Sequence, residues 1–151
     1  MGPLLMTVLH LGVLDIPYTA GTKKVAVATT GEVAEWLEDK YHVYQHFFEA
    51  HGAEIAEELT QSLKDFFEDQ LSGSQANAVS FTGAESEIKH LFTKFIDTKE
   101  MDRLGYPGIP TKASLAGVNH RMKHPYAKRG PRPSFKDTGT YEAAFKAWLE
   151  E

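Results

Sequence analysis

Apolar residues return every three or four positions over a long central stretch. Val33, Leu37, Tyr41, Tyr44, Phe48, Ile55, Leu59, Leu63, Phe66 and Phe67 keep to that spacing apart from one wider gap, with acidic residues between them. A period near 3.6 places them on one face of a helix and turns the charges to water. Thr29 and Glu32 have the spacing of a capping box, which marks where the helix starts. The pattern predicts one long rod running to about Leu71. Gly52 is its weak point, where a kink would be expected, but the stripe keeps phase across that glycine.

The flanks read differently. From Leu4 to Ile16 the chain is aliphatic and β-branched, and Lys23–Ala28 is a second strand-like stretch after a turn-forming Thr-Ala-Gly-Thr. A β-hairpin over residues 1–28 is predicted, laid against the helices because two strands alone are marginal. Ser72–Ala78 is a polar linker. Thr82 and Glu85 repeat the capping spacing and open a helix carrying Ile88, Leu91, Phe92, Phe95 and Ile96 to near Asp102, which closes a helical body over residues 29–102. Two Pro and two Gly in Leu104–Pro110 exclude a helix there. Thr111 then caps a short helix to about Met122, and Asp137 or Thr138 caps a terminal helix over residues 137–151 bearing Tyr141, Phe145 and Trp148. The expected fold is a single domain of α+β class, mainly helical.

Charge changes this picture. The segment 103–136 holds eight Lys and Arg and no Asp or Glu, in a chain whose formal net charge is −5. That is +8 on one short stretch and about −13 on everything else. The stretch is rich in Pro and Gly, so it reads as an arm and not as a buried element. Elsewhere composition excludes more than it assigns. A chain that is 42% hydrophobic and 25% charged is not wholly disordered. The lack of cysteine excludes disulfides, thiolate metal sites and a cysteine nucleophile. No apolar run approaches the length that crosses a bilayer, so no membrane partner is expected. The first residues have no basic n-region and no small-residue cleavage site, so they read as a strand, and assembly in a cytoplasm is expected.

Candidate chemistry is thin. Asp137-Thr-Gly-Thr140 spells the aspartic-protease tripeptide, but Ser-Phe-Lys before it and an amphipathic run after it are the context of a helix N-cap. His42 and His46 lie four apart, with Asp39 and Glu49 three residues outside them; this could present ligands to a metal, or simply a solvated or interface face. No nucleophile–base–oxyanion set and no Gly-rich phosphate loop after a strand is present, so neither an enzyme nor a cofactor is expected. The arm is the stronger signal. Arg121, Lys123, Lys128, Arg129, Arg132 and Lys136 could meet the acidic face of a neighbouring subunit, a polyanion such as DNA, or water. Tyr126, Phe135, Tyr141 and Trp148, with Tyr106, are of the types that anchor interfaces.

Val118-Asn-His-Arg-Met-Lys-His-Pro-Tyr-Ala-Lys-Arg-Gly-Pro-Arg-Pro-Ser-Phe-Lys-Asp-Thr-Gly-Thr-Tyr141 resembles the C-terminal part of tailed-bacteriophage neck, head–tail connector and tail-completion proteins. These often carry a basic stretch, then Arg-Pro-Ser-Phe, then Asp-Thr-Gly before an aromatic or aliphatic residue. The acidic helix from Thr30 to Gln70, with its Tyr-His and paired Phe, is similar to the same group. The resemblance implies a non-enzymatic virion subunit. It would form a ring with other copies of itself at the head–tail junction, between portal or connector and tail proteins, with non-specific contact to packaged DNA possible. A tail terminator or other tail or baseplate subunit is a variant of that expectation, and a nucleic-acid-binding regulator using the basic arm is the alternative.

Overall fold

Two helices, α1 (Thr30–Tyr41) and α2 (Val43–Leu71), carry the apolar stripe that reads as one rod. The chain is seen in a computed structural model that describes residues 7–18, 28–117, 130–136 and 139–150. The break falls at His42, which takes a left-handed conformation (φ 51°, ψ 47°). For a residue with a Cβ that conformation costs about 1–2 kcal/mol. Glu38 offsets it. Its carboxylate accepts the backbone N–H of Tyr44 at 2.7 Å and of Gln45 at 3.2 Å, capping the new helix where its dipole is positive. Gly52 lies inside α2 and marks no kink. The turn at His42 rotates the inward face, so Val43 and Phe47 are buried while Phe48, expected inside, is exposed.

Glu38→Ala is therefore expected to cost about 1–2 kcal/mol. Thermal unfolding followed by circular dichroism should show the midpoint falling by a few degrees, with Glu38→Gln in between. An unshifted midpoint would mean that something other than this carboxylate holds the break.

The start of α1 is as the spacing predicts. Thr29 accepts the Glu32 N–H and Glu32 accepts the Thr29 N–H at 3.0 Å. The second capping box does not form. Helix α3 (Thr82–Asp97) starts one residue early, with Phe81 at the cap, and Glu85 turns elsewhere. A left-handed Lys99 ends that run, and a single turn, α4 (Glu100–Arg103), follows. Residues 104–110 are non-helical, as the prolines require. Thr111 caps α5 (Lys112–Ala116) by accepting the Ser114 N–H, but Gly117 (φ 64°) stops it well before Met122.

The terminal segment departs furthest from expectation. One turn of helix, α6 (Thr140–Ala144), gives way to a strand, Phe145–Glu150. Asp137 and Thr138, the expected caps, lie outside the described residues, and Gly139 occupies the cap. This strand, β2, pairs antiparallel with β1 (Val8–Val13), from Val8 opposite Glu150 to Val13 opposite Phe145. Phe145-Lys-Ala-Trp-Leu-Glu150 alternates, with Phe145 and Ala147 buried and Lys146 exposed. A strand needs a partner for its backbone, and β1 supplies it. Of the hairpin expected within residues 1–28, the described contacts are a single bridge between Pro17 and Thr29 and the Tyr18 N–H donating to Ala28 O at 3.2 Å, while β1 takes its strand partner from β2; residues 19–27 lie outside the described residues.

The fold is α+β and mainly helical, with an aromatic centre. Phe92 stacks on Phe145 with ring centroids 4.0 Å apart, and Phe47 meets Phe92 edge-on at 5.2 Å and Phe95 at 5.5 Å. Helix α3 also covers the outer edge of β2: Glu85 accepts the Leu149 N–H at 3.1 Å, and Lys89 donates to Ala143 O at 2.9 Å. His51 ties α2 to α4, with Nδ1 2.7 Å from Glu54 and Nε2 3.0 Å from Glu100. Beyond Ile55 no residue of α2 is buried.

Candidate interaction surface

The basic arm is sewn to the body at its base. Among its described residues, Ser114 and Ser134 are buried with hydroxyls 3.1 Å apart, and Ser134 Oγ accepts the Thr111 N–H at 3.0 Å. Arg132 N–H donates to Ser114 O at 3.0 Å, and Ser134 N–H donates to an Asp102 carboxylate oxygen at 3.2 Å. Short polar side chains suit this join, because they satisfy backbone groups that a loop leaves without helical partners. The two limbs, 103–117 and 130–136, are thus clasped together beside α3 and α4.

Lys136 closes the clasp. Its Nζ makes a short ion pair with Asp97 and lies 2.8 Å from Glu142 Oε1. Hydrogen bonding from Lys136 holds the Asp97 carboxyl below its ordinary range, and Asp97 in turn raises the Lys136 ammonium. Glu142 is buried, and desolvation pushes its carboxyl up despite the lysine beside it. Lys136, expected to contact a neighbour, is therefore engaged inside its own chain. Arg132 is engaged too, donating to the backbone oxygen of Lys136 at 2.5 Å. Arg121, Lys123, Lys128, Arg129 and Tyr126 lie outside the described residues.

The expected aromatic anchors divide between core and surface. Tyr141 is 4% exposed and stacks near Tyr44 with centroids 6.2 Å apart, so it is a core residue and not a free anchor. Burial raises both hydroxyls, that of Tyr44 to about 12. Phe135, at φ 65°, tilts against Tyr41 at 5.2 Å and is half-buried. Trp148 lies on the outer face of the sheet, stacked on His10 at 5.1 Å, with Lys146 Nζ 5.9 Å from its ring. Gly12 makes room for it, since a Cβ there would come within 3.2 Å of the indole.

The histidine pair is a packed surface. His42 and His46 rings meet edge-on 6.2 Å apart, and His46 stacks on Tyr106 at 3.4 Å. Gln45 first, and His46 after it, hold the Glu49 carboxyl below its usual range. Among the described residues no group of three or more His, Asp and Glu side chains is placed to hold a metal.

What the sequence pattern assigned wrongly is the far half of α2. Leu63 and Phe67 belong to the stripe placed on the inward face, yet they are 39% and 60% exposed, and Leu71 at the helix end is 89% exposed. Their spacing reveals an apolar face; only the structure reveals that the described residues leave it exposed. No known protein family, curated protein or solved structure matches this chain.

Proposed function

We propose that this protein is a structural, ring-forming subunit of the neck or head–tail junction of a tailed bacteriophage, a connector, collar or tail-completion component. The observation that carries the reading is its charge segregation, +8 without one acid over residues 103–136 against about −13 elsewhere. A ring is built from head-to-tail contacts, so each copy must present two unlike surfaces. A basic arm and an acidic helical body are such a pair, and opposite potentials steer and register their encounter. The firm base of the arm favours this use, because limbs already held in place, 103–117 and 130–136, lose less entropy on docking. The likeness of Arg132-Pro-Ser-Phe135 and its basic approach to phage virion proteins points the same way. Its neighbours would be other copies, portal or connector proteins on one side and tail proteins on the other, in the virion.

The basic composition of the same arm also suits a nucleic-acid-binding regulator, which gives the second reading. Native mass across protein concentration and salt separates the two. The ring reading expects a discrete closed multiple that dissociates as salt screens the contact. A monomer that binds duplex DNA with an affinity falling steeply with salt would favour the regulator instead. Reversing Lys128 and Arg129 to Glu tests the arm directly and should abolish the multiple while leaving helix content unchanged. Arg132 is a poor choice for that test, because it holds the base of the loop.

A further inference from the structure

We infer that the distal half of α2 is the docking surface for the basic arm of a second copy of this chain. The inference rests on the ring reading and specifies one of its two unlike surfaces.

The helix continues for about 24 Å beyond Ile55, its last buried residue. Leu59 still packs at the edge of the core, while Leu63, Phe67 and Leu71 continue the same face into solvent at four-residue steps. An apolar stripe left open along a helix marks a contact more often than a solvated surface. Its surroundings say what kind. Glu54, Glu57, Glu58, Asp65, Glu68 and Asp69 lie along residues 54–71, with Lys64 the sole cation among them. Two such helices would repel each other, so the helix of another copy is a poor occupant.

The end of the helix adds a second reason. Its last turn holds acidic residues and no basic one, so Glu68 and Asp69 sit at the negative pole of the helix dipole. That placement is unfavourable within the chain and is relieved by a cation supplied from outside. Among the segments of this chain, 103–136 matches, with Arg121, Lys123, Lys128 and Arg129 grouped in sequence around Tyr126, an aromatic suited to the stripe. The result is a contact with apolar centre and charged rim, the usual anatomy of a specific interface.

Sedimentation velocity on the full-length chain tests this, with far-UV circular dichroism as the control for folding. Phe67→Gln with Leu71→Gln should weaken assembly roughly tenfold or more at unchanged helix content. Glu68→Lys with Asp69→Lys, and separately Lys128→Glu with Arg129→Glu, should each give monomers. Mixing the two charge-reversed proteins should restore assembly, because each then offers the other a complementary pair. The lysine substitutions also improve the helix terminus, so their loss of assembly is not a loss of fold. Wild-type assembly that is matched by the α2 variants overturns the docking surface and leaves the ring reading standing. A wild-type chain that stays monomeric at every concentration and salt overturns both. Reversed proteins that fail to complement on mixing also overturn the docking surface.

Discussion

Phe92→Ala is expected to cost about 3–5 kcal/mol, because it removes the ring at the centre of the core. Phe92 has no solvent exposure and touches Tyr44, Phe47, Tyr141 and Phe145. Its loss leaves a cavity walled by other rings, which relax poorly because each is held by its own neighbours. Domains of this size are stable by only about 5–15 kcal/mol, so the variant should fold marginally. The urea midpoint is the measurement, with an unchanged slope showing that the folded state remains compact. Phe67→Ala is the matched control. That ring is 60% exposed, and in protein dilute enough to be monomeric its removal should leave the stability within about 0.5 kcal/mol of wild type. Equal losses at the two positions would contradict the core assigned here.

Lys136→Met should cost about 1–3 kcal/mol near neutral pH, since it strands a buried Glu142 beside Asp97. The figure lies below that of a fully buried pair because Lys136 and Asp97 are partly in water. The pH dependence is the sharper signature. In the wild type, Asp97 lies below its ordinary 3.8, so its contribution is present above that value and lost as pH falls through the depressed one. Lys136 is raised above 10.5, so its contribution is present below that value and lost as pH rises through the raised one. Glu142 runs against both: raised above 4.5, it favours folding in acid and opposes it as pH climbs. Without the lysine, two carboxylates share one site and the Glu142 effect dominates. Lys136→Met should therefore gain stability on acidification from neutral pH more steeply than the wild type, in which Lys136 offsets part of the cost of burying the Glu142 carboxylate. Denaturant midpoints from neutral to acid pH decide it, and a variant curve parallel to the wild type would remove Lys136 from the clasp.

Local signals were legible where the partners are local. Thr29 and Glu32 cap each other three residues apart, and the spacing alone reveals them. The break at His42 was not legible, because no Gly or Pro marks it. Its cause is a carboxylate, Glu38, reaching forward to amides six and seven residues on. The terminal segment was ambiguous for a different reason. Tyr141, Phe145 and Trp148 fit a helical period, while Phe145 to Glu150 also alternates, and the choice is made by β1 at the other end of the chain. The candidate surface was half legible. Lys136 was visible as a cation, but not its acidic partners at Asp97 and Glu142, distant in sequence on one side. Leu63 and Phe67 were visible as part of a stripe, but a stripe carries no record of what covers it.

The pairing of β1 with β2 sets an order of events during synthesis. Strands about 140 residues apart in sequence cannot meet until β2, at residues 145–150, has left the ribosome. Until then Phe92 lacks the ring of Phe145 that stacks on it, and Phe47 loses a neighbour with it. Contacts of such long range also close slowly, since the chain between them must be ordered first. The nascent protein thus holds an aromatic face open until β2 emerges, and that strand is the one that shuts it.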